Sequence, residues 1–312
     1  MLLVFGSINL DLSFRTPQLP LAGETVLGGS LLISPGGKGA NQAHAAALAG
    51  APTCLVGAVG DDVLADAALP LLCSAGVDLT HLQRLPGRTG CASIAVDDAG
   101  QNQIIVAPGV NLSLRQDVVS DALLADCKAV LLQMETDPAH NLALLQRARR
   151  QGCRTLLNNA PARPLSHEWL AAVDVLVVNE IELTATAASL GLTPEATDLT
   201  DPAALLRAVA GQGSTTVVLT RGAQGAMTWH AGAIIHTPAL AVPVIDTTGA
   251  GDTFCGVLAA SLVQGLDMVG ALKRAGLAAS LACTKAGAQA AQPTRSEIDQ
   301  AEVDNRATPI DT

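Results

Sequence analysis

The succession of short apolar segments along the chain is the feature that most restricts its fold. Helix-like segments such as 138–151 and 180–190 separate many of these strand-like runs. The runs lie at residues 2–8, 53–59, 129–133, 154–158, 174–178 and 215–220. Strands that alternate with helices pair in parallel, because each helix returns the chain to the same end of the sheet. The pattern predicts an α/β fold with a central, mainly parallel sheet flanked by helices.

The remaining segments complete this prediction. Further helices are expected at residues 39–48, 62–74, 250–264 and 268–285, with a hairpin at 226–229 and 234–237. Residues 10–34 read as extended pieces broken by prolines and glycines, and residues 91–97 and 103–107 form a second hairpin signal. Neither piece fits the alternation. We therefore expect one domain over residues 1–312, with a small β-sheet lid built from segments 10–34 and 90–108.

Composition excludes several classes of function. Hydrophobic residues make up 49% of the 312 residues, enough for a large core, and the net charge is −10. An acidic chain has no general attraction for nucleic acid or for anionic membranes. The seven cysteines are scattered without a C-x-x-C pair, as in proteins of a reducing compartment. No signal sequence or membrane-spanning run is recognisable, so we expect a cytoplasmic protein.

The segment Asp-Thr-Thr-Gly-Ala-Gly-Asp-Thr-Phe at 246–254 carries the strongest chemical signal. Gly249 and Gly251 bracket Ala250 directly before a long apolar helix. A glycine-rich turn that opens a helix presents unpaired N–H groups, which suit the charge of a transferring phosphoryl group. Asp252 in the first helical turn could serve as a base, or it could simply cap the helix; the spacing alone leaves both open.

Two further segments suggest a ligand site. Ser-Pro-Gly-Gly-Lys-Gly-Ala-Asn at 34–41 combines three glycines with the donors Lys38 and Asn41, although it lacks the Walker A spacing. Asn9 and Asp11 follow the first apolar run, and we expect them at the carboxyl end of that strand, where α/β sheets bind ligands. A plain turn and ordinary strand-ending residues are the alternative interpretations.

Together these segments resemble the signatures of the ribokinase-like (PfkB) sugar kinases. Leu-Leu-Gln-Met-Glu at 131–135, Asn-Asn-Ala-Pro-Ala at 158–162 and Val-Asn-Glu-Ile-Glu at 178–182 match as well, and the resemblance runs in order from Gly6 to about Pro293. It implies ATP-dependent phosphorylation of D-ribose at the 5-hydroxyl, with ATP, Mg²⁺ and K⁺ as cofactors. It also implies a homodimer formed through the lid, whose sheet edges need cover.

The resemblance assigns a role to each matching position. Asp252 is implied as general base and Gly249, Ala250 and Gly251 as anion hole. The implied sugar-binding residues are Asn9, Asp11, Gly37, Lys38, Gly39, Ala40, Asn41, Glu135 and Asp252. Those implied for the nucleotide are Asn179, Thr220, Arg221, Gly222, Ala223, Gln224, Gly225, Gly251 and Gly276. Glu182 is implied near Mg²⁺, and the implied K⁺ positions are Asp246, Thr248, Ala282, Lys285, Gly287 and Ala291.

Two positions depart from the family pattern. Ala291 stands where the family often has a serine, and Gly276 stands where a histidine or asparagine often lies near the adenine. Neither departure touches the implied base. Two alternative functions stay open: another kinase of the family, acting on 2-deoxyribose or fructose, and a non-catalytic sugar-binding regulator that kept the fold.

Overall fold

The structure is a computed structural model that describes residues 1–192 and 201–307. Its strands are β1 (Leu2–Phe5), β2 (Asn9–Arg15), β3 (Leu31–Gly36), β4 (Thr53–Val56), β5 (Ala58–Val59), β6 (Gln83–Arg84), β7 (Gly90–Val96), β8 (Asn102–Ala107), β9 (Ala129–Gln133), β10 (Arg154–Asn158), β11 (Val175–Asn179), β12 (Thr216–Thr220), β13 (Ala226–His230) and β14 (Ala233–Thr237). Its helices are α1 (Lys38–Leu48), α2 (Val63–Ala67), α3 (Pro70–Ser74), α4 (Asp121–Ala125), α5 (Pro138–Arg150), α6 (His167–Ala172), α7 (Glu180–Ser189), α8 (Pro202–Ala210), α9 (Ala250–Val263), α10 (Met268–Ala282) and α11 (Arg295–Ala307).

Within these ranges the central sheet has eight strands in the order β14-β13-β12-β11-β10-β9-β1-β4. Six neighbouring strands of this sheet, β4, β1, β9, β10, β11 and β12, pair in parallel. The hairpin β13–β14 adds an antiparallel edge. Both faces are covered, so successive residues of one strand enter different cores. Val4 belongs to the core beside α1, α9 and α10, and Phe5 belongs to the core on the opposite face. The predicted α/β architecture is confirmed.

Four strands form a second, smaller sheet in the order β3-β2-β7-β8. β2 runs parallel to β7, and each of them pairs antiparallel with its outer neighbour. These strands come from the two segments that did not fit the helix–strand alternation. Several apolar side chains of this small sheet are exposed, including Leu31, Ile33 and Ile105.

The path between the two sheets corrects the prediction for Asn9 and Asp11. The first strand was expected to continue to residue 8, but β1 ends at Phe5. Gly6 lies so close to other segments of the chain that an added Cβ would come within 2.0 Å of Gln133 Oε1. The chain turns there, so Asn9 and Asp11 lie on β2 of the small sheet rather than at the end of β1.

Other predicted boundaries also change. The helix expected at 62–74 is two short helices, and Pro70 opens the second because proline has no N–H to continue a preceding helix. The strand expected at 53–59 divides at Gly57, after which β5 pairs with β6. The helix expected at 268–285 ends at Ala282. Within 1–192 and 201–307, no helix is long and apolar enough to cross a membrane.

Close packing of α1 against α9 positions the candidate site. A Cβ added at Gly256 would lie 2.4 Å from the backbone oxygen of Gln42 and 2.8 Å from Ala45 Cβ. Only glycine lets the two helices approach this closely. The contact brings the first turn of α1, which carries Asn41 and Gln42, beside the first turn of α9, which carries Asp252.

Candidate active site

Asp252 is held by side chains of another helix. Its Oδ2 accepts a hydrogen bond from Asn41 Nδ2 at 2.9 Å, and its Oδ1 accepts one from Gln42 Nε2 at 2.9 Å. The residue is 8% exposed. No side chain caps the start of α9, whose N-cap is Gly249 in the left-handed conformation. Asp252 therefore does not cap its own helix, which removes the observation that the capping alternative needed.

The turn before Asp252 leaves backbone donors open. An atom added at the Cβ position of Gly251 would meet nothing within 4 Å, so this glycine faces open space. Ala250 N donates to Thr247 O at 3.2 Å, whereas no described group accepts from the N–H of Gly249, Gly251 or Asp252. Such donors at the positive end of a helix suit an anion. The N–H of Ala250, expected in the anion hole, is already engaged within the turn.

Glu135 follows the carboxyl end of β9 and is tied to the start of α1. Its Oε2 accepts from Ser7 Oγ at 2.5 Å and from Lys38 N at 3.0 Å. Gly39 closes the same corner, because an added Cβ would lie 2.5 Å from the carbonyl carbon of Gly6. These contacts use one carboxylate oxygen of Glu135 and leave Oε1 available for a ligand hydroxyl.

Asn9 is fixed by a residue that the sequence did not single out. The Asn111 amide accepts from Ile8 N at 3.0 Å and donates to Ile8 O at 3.2 Å and to Asn9 Oδ1 at 2.8 Å. Asn9 is 2% exposed. Its carboxamide is therefore oriented before any ligand arrives, with Nδ2 as the remaining donor.

Asp11 lies on the face of the small sheet that is turned toward Glu135 and Asp252. Burial, followed by the charges of Glu135 and Asp252, raises the pKa of Asp11 to about 7 against the opposing charge of Lys38. Gly36 on the neighbouring strand makes room, since a Cβ there would come within 2.2 Å of Asp11 Oδ2. Neutral Asp11 and ionised Asp11 are thus both accessible near neutral pH.

Lys38 is the cation among these carboxyl groups. The charge of Asp252 raises its pKa above the ordinary value, although burial opposes this, and Glu135 and Glu182 act in the same direction as Asp252. The ammonium group therefore stays charged at neutral pH. Its positive charge acts among the carboxylates of Asp252, Glu135 and Glu182.

A cavity of about 520 Å³ lies beside the opening of α9. Six residues expected at the nucleotide line it, namely Thr220, Gly222, Ala223, Gly225, Gly251 and Gly276. The cavity is also lined by residues that were not expected at the nucleotide, namely Ala239, Leu240, Ala241, Val242, Val244, Thr247, Phe254, Ala279, Ser280 and Cys283. The cavity is mostly apolar, and its lining includes Ala250 and Gly251 of the turn that holds the open donors. This form suits a ligand with a flat apolar part and an anionic end.

Three residues expected at the nucleotide do not line this cavity. Asn179 and Glu182 form a capping box at the start of α7, with N–H to side-chain oxygen distances of 2.8 Å in both directions. Arg221 pairs with Glu180 at 3.0 Å, and the carbonyl oxygen of Gln224 accepts from His236. Burial raises the pKa of Glu182 against the hydrogen bond from Asn179, so its carboxylate is partly desolvated.

Three of the six residues implied for K⁺, namely Asp246, Thr248 and Gly287, are joined by hydrogen bonds. Asp246 Oδ1 accepts from Thr248 N and Oγ1, and Asp246 Oδ2 accepts from Gly287 N at 2.9 Å. Although burial alone would raise the pKa of Asp246, the hydrogen bonds from Gly287 and Thr248 outweigh it and lower the pKa. Within the described ranges, no backbone N–H donates to the carbonyl oxygens of Lys285 and Gly287. Open carbonyls beside a carboxylate fit a hard cation.

The side chains of the site also limit how a divalent cation could bind. In the part of the chain that the structure describes, no group of three or more His, Cys, Asp or Glu side chains is arranged to hold a metal ion. Mg²⁺ keeps several waters and commonly binds through one or two carboxylates plus substrate phosphates. Glu182 is compatible with that mode, with phosphate oxygens as the main ligands.

Sequence reasoning missed the residues that orient the site. Gln42 directly follows the glycine-rich motif, so its adjacency to Asn41 was a usable signal. Ser7 and Asn111 gave none, because a lone polar residue after a strand or a hairpin is ordinary. Their importance follows only from the distances of 2.5 Å from Ser7 to Glu135 and 2.8 Å from Asn111 to Asn9.

The fold and this site define an ATP-dependent carbohydrate kinase, and the chain belongs to the pfkB family of carbohydrate kinases, whose pattern matches residues 1–295. It is similar to the ribokinase of Haemophilus influenzae, with 34% identity over 95% of this chain and 96% of the relative. The deoxyribokinase of Salmonella typhi is 33% identical over 95% of this chain and 97% of its own. The solved structure of Arabidopsis thaliana ribokinase complexed with ribose and ATP gives a TM-score of 0.84 at 28% identity, covering 96% of this chain and 97% of that chain.

We expect Asp11→Asn to stabilise the unliganded protein more at pH 8 than at pH 5. Because its folded pKa is raised to about 7, Asp11 favours folding below its unfolded pKa and loses that contribution as pH rises through 7. Asparagine removes the cost of the buried charge, worth on the order of 1 kcal/mol or more at pH 8. Melting temperatures at both pH values, with the exposed Asp98→Asn as control, measure it. An equal shift at both pH values would contradict this prediction.

Proposed function

We propose that this kinase transfers the γ-phosphoryl group of ATP to the 5-hydroxyl of D-ribose, giving D-ribose 5-phosphate and ADP. The observation that carries the proposal is the position of Asp252, held by Asn41 and Gln42 beside the open turn of α9. The carboxyl groups of Asp11 and Glu135 lie near that carboxylate, and the mostly apolar cavity adjoins the same turn. The similarity to ribokinases, including the one solved with ribose and ATP, supports ribose as the sugar.

Asp252 would act as general base. It takes the proton of the sugar O5 as the O5–Pγ bond forms and the bond from Pγ to the bridging oxygen of ADP breaks. The N–H groups of Gly249 and Gly251, with that of Asp252, stabilise charge on the transferring group. Lys38 adds a positive charge at the same place, and Mg²⁺, bound through phosphate oxygens near Glu182, would supply further charge neutralisation.

The sugar would lie between the small sheet and the central sheet. Glu135 Oε1, the carboxylate of Asp11 and the Asn9 amide are the polar groups available to its secondary hydroxyls. Carboxylates and amides in a mostly buried pocket are suitable partners for a diol. We further propose that the small sheet is a lid on a single domain, because its strand β2 carries two of these groups.

The small sheet also provides a reason for dimerisation. By the strand register, Leu31, Ile33 and Ile105 lie on the face opposite to Asp11, and each is more than half exposed. Exposed apolar sheet faces are normally covered by a partner. We propose a homodimer that pairs these faces, to be checked by sedimentation velocity of the wild type against Ile105→Asp.

The seven unpaired cysteines support a reducing, cytoplasmic setting.

The choice of sugar is tested by ADP release with a panel of pentoses and hexoses. We expect ribose to give the highest kcat/KM, ahead of fructose and adenosine, and Asp11→Ala to raise the ribose KM. Loss of a hydrogen bond to a charged acceptor costs roughly 1.5–3 kcal/mol. Because the Salmonella typhi relative is a deoxyribokinase, 2-deoxyribose is the decisive competitor. Faster turnover of 2-deoxyribose or adenosine would replace ribose in the proposal, and absence of turnover would favour the sugar-binding regulator.

Asp252→Asn should lower kcat by about 10²–10⁴-fold, the usual contribution of a positioned general base. Asparagine keeps the size of the side chain and removes its basicity, so affinity for ribose and ATP should change far less. Measurement of kcat, ribose binding and melting temperature on one preparation distinguishes a base from a structural carboxylate. A variant with near-normal kcat and a reduced melting temperature would remove Asp252 from the mechanism.

Potassium should activate the enzyme. With Mg²⁺ constant, we expect a several-fold higher rate in K⁺ than in an equal concentration of tetramethylammonium, which is too large for a site of carbonyl oxygens. Asp246→Asn should reduce that difference, because it removes the carboxylate charge while keeping an oxygen for Thr248 or Gly287. Equal rates of the wild type in both salts would show that no functional cation site exists.

A further inference from the structure

A buried chain of carboxamides leads from Asp252 in two directions. On one side, Gln42 donates to Asp252 Oδ1 and accepts from Gln133 Nε2 at 2.7 Å. On the other, Asn41 donates to Asp252 Oδ2 and accepts from Gln289 Nε2 at 3.1 Å. All five residues are buried, and the four amides come from α1, β9 and the segment after α10. None of these four amides carries a charge.

The orientation of each amide follows from the carboxylate. A carboxylate oxygen accepts hydrogen bonds and cannot donate them, so Gln42 must present its nitrogen to Asp252. Its oxygen then faces Gln133, which must in turn donate. The same reasoning turns Gln289 toward Asn41. Each outer amide is left with an oxygen that accepts no hydrogen bond from the described residues, Gln133 Oε1 and Gln289 Oε1.

Gln42 makes more side-chain hydrogen bonds than the other three amides. Its nitrogen also donates to Asn158 Oδ1 at 3.1 Å, while Asn158 Nδ2 donates to Val177 O. The side chain is therefore fixed from β9 and β10 as well as by Asp252, and it is 0% exposed. A group so enclosed cannot touch sugar or nucleotide. Its only path to the chemistry is through the carboxylate.

We propose that Gln42, locked by Gln133 and Asn158, is a positioning residue that fixes the orientation of the Asp252 carboxylate toward the sugar hydroxyl. The proposal rests on Asp252 as the base. It explains why a buried carboxylate is held by neutral amides: a cation in direct contact would reduce its basicity, whereas two amides fix its plane without adding charge. A misplaced base costs rate, because proton transfer needs a near-attack geometry.

The first variant is Gln42→Met, which keeps the length of the side chain and removes both the donor nitrogen and the acceptor oxygen of the amide. We expect kcat to fall on the order of 10- to 100-fold, as for a displaced catalytic group, with the ribose KM nearly unchanged. Thr155→Val is the matched control, since Thr155 is equally buried and bonds to Ala172 O at 2.8 Å, at the amino end of β10. It should lose stability and keep kcat.

The second variant gives a signature that a structural role would not produce. In Gln42→Glu, one oxygen of the new carboxyl group can accept from Gln133, while the other faces two acceptors, Asp252 and Asn158. Only the protonated form can donate to them. We therefore expect its kcat relative to wild type to fall roughly tenfold or more between pH 6 and pH 8.5.

The other titratable groups acting on this site are Lys38, Asp11, Glu135, Glu182 and Cys255. They are identical in Gln42→Met, whose ratio to wild type should not follow that trend. Wild-type kcat in Gln42→Met, or no pH trend in Gln42→Glu, would overturn the inference. If Gln42→Met does not fold, Gln133→Met replaces it as the test. We expect a smaller loss of kcat in Gln133→Met, and an unchanged kcat would contradict the inference.

Asp252→Asn in the same series separates the inference from the proposed function. Full activity of Asp252→Asn would remove the base itself, whereas an inactive Asp252→Asn beside a normal Gln42→Met would remove only the role of Gln42.

Discussion

The site depends on one buried carboxylate and the neutral groups that hold it. Asp252 accepts hydrogen bonds at 2.9 Å from two consecutive residues of α1, and no residue of its own helix supplies them. Consecutive residues on a helix point in different directions, so this geometry requires the start of α1 to face the start of α9. The chemistry is thus an interface property of two helices that are far apart in the sequence.

That interface depends on missing side chains. Gly256 lets α9 approach the backbone of α1, and Gly39 lets α1 approach the turn after β1. A methyl group at either position would separate the elements by more than the tolerance of a hydrogen bond. The glycines of the motif therefore have two functions. Gly251 leaves its turn facing open space, whereas Gly39 and Gly256 set the distances between the elements that carry the polar groups.

The charge balance of the site also has a cost for the free protein. The ammonium group of Lys38 interacts with the charges of Asp252, Glu135 and Glu182, and the raised pKa of Asp11 follows first from burial and then from the charges of Glu135 and Asp252. Hydrogen bonds from sugar hydroxyls and the charge of a metal–nucleotide complex would relieve the excess of carboxyl groups. A stability deficit without ligand is common for sites prepared for a charged reaction.

The sequence alone determined the parallel α/β core, the glycine-rich turn before Asp252 and the two segments of the small sheet. These features are local: periodicity, turn residues and motif spacing act over a few residues. Only the tertiary structure decided that β1 ends at Phe5, that Asn9 and Asp11 belong to the small sheet, and that Gln42, Ser7 and Asn111 orient the site. Each of these depends on contacts between residues more than 30 positions apart, and the local pattern of a chain contains no measure of such distances.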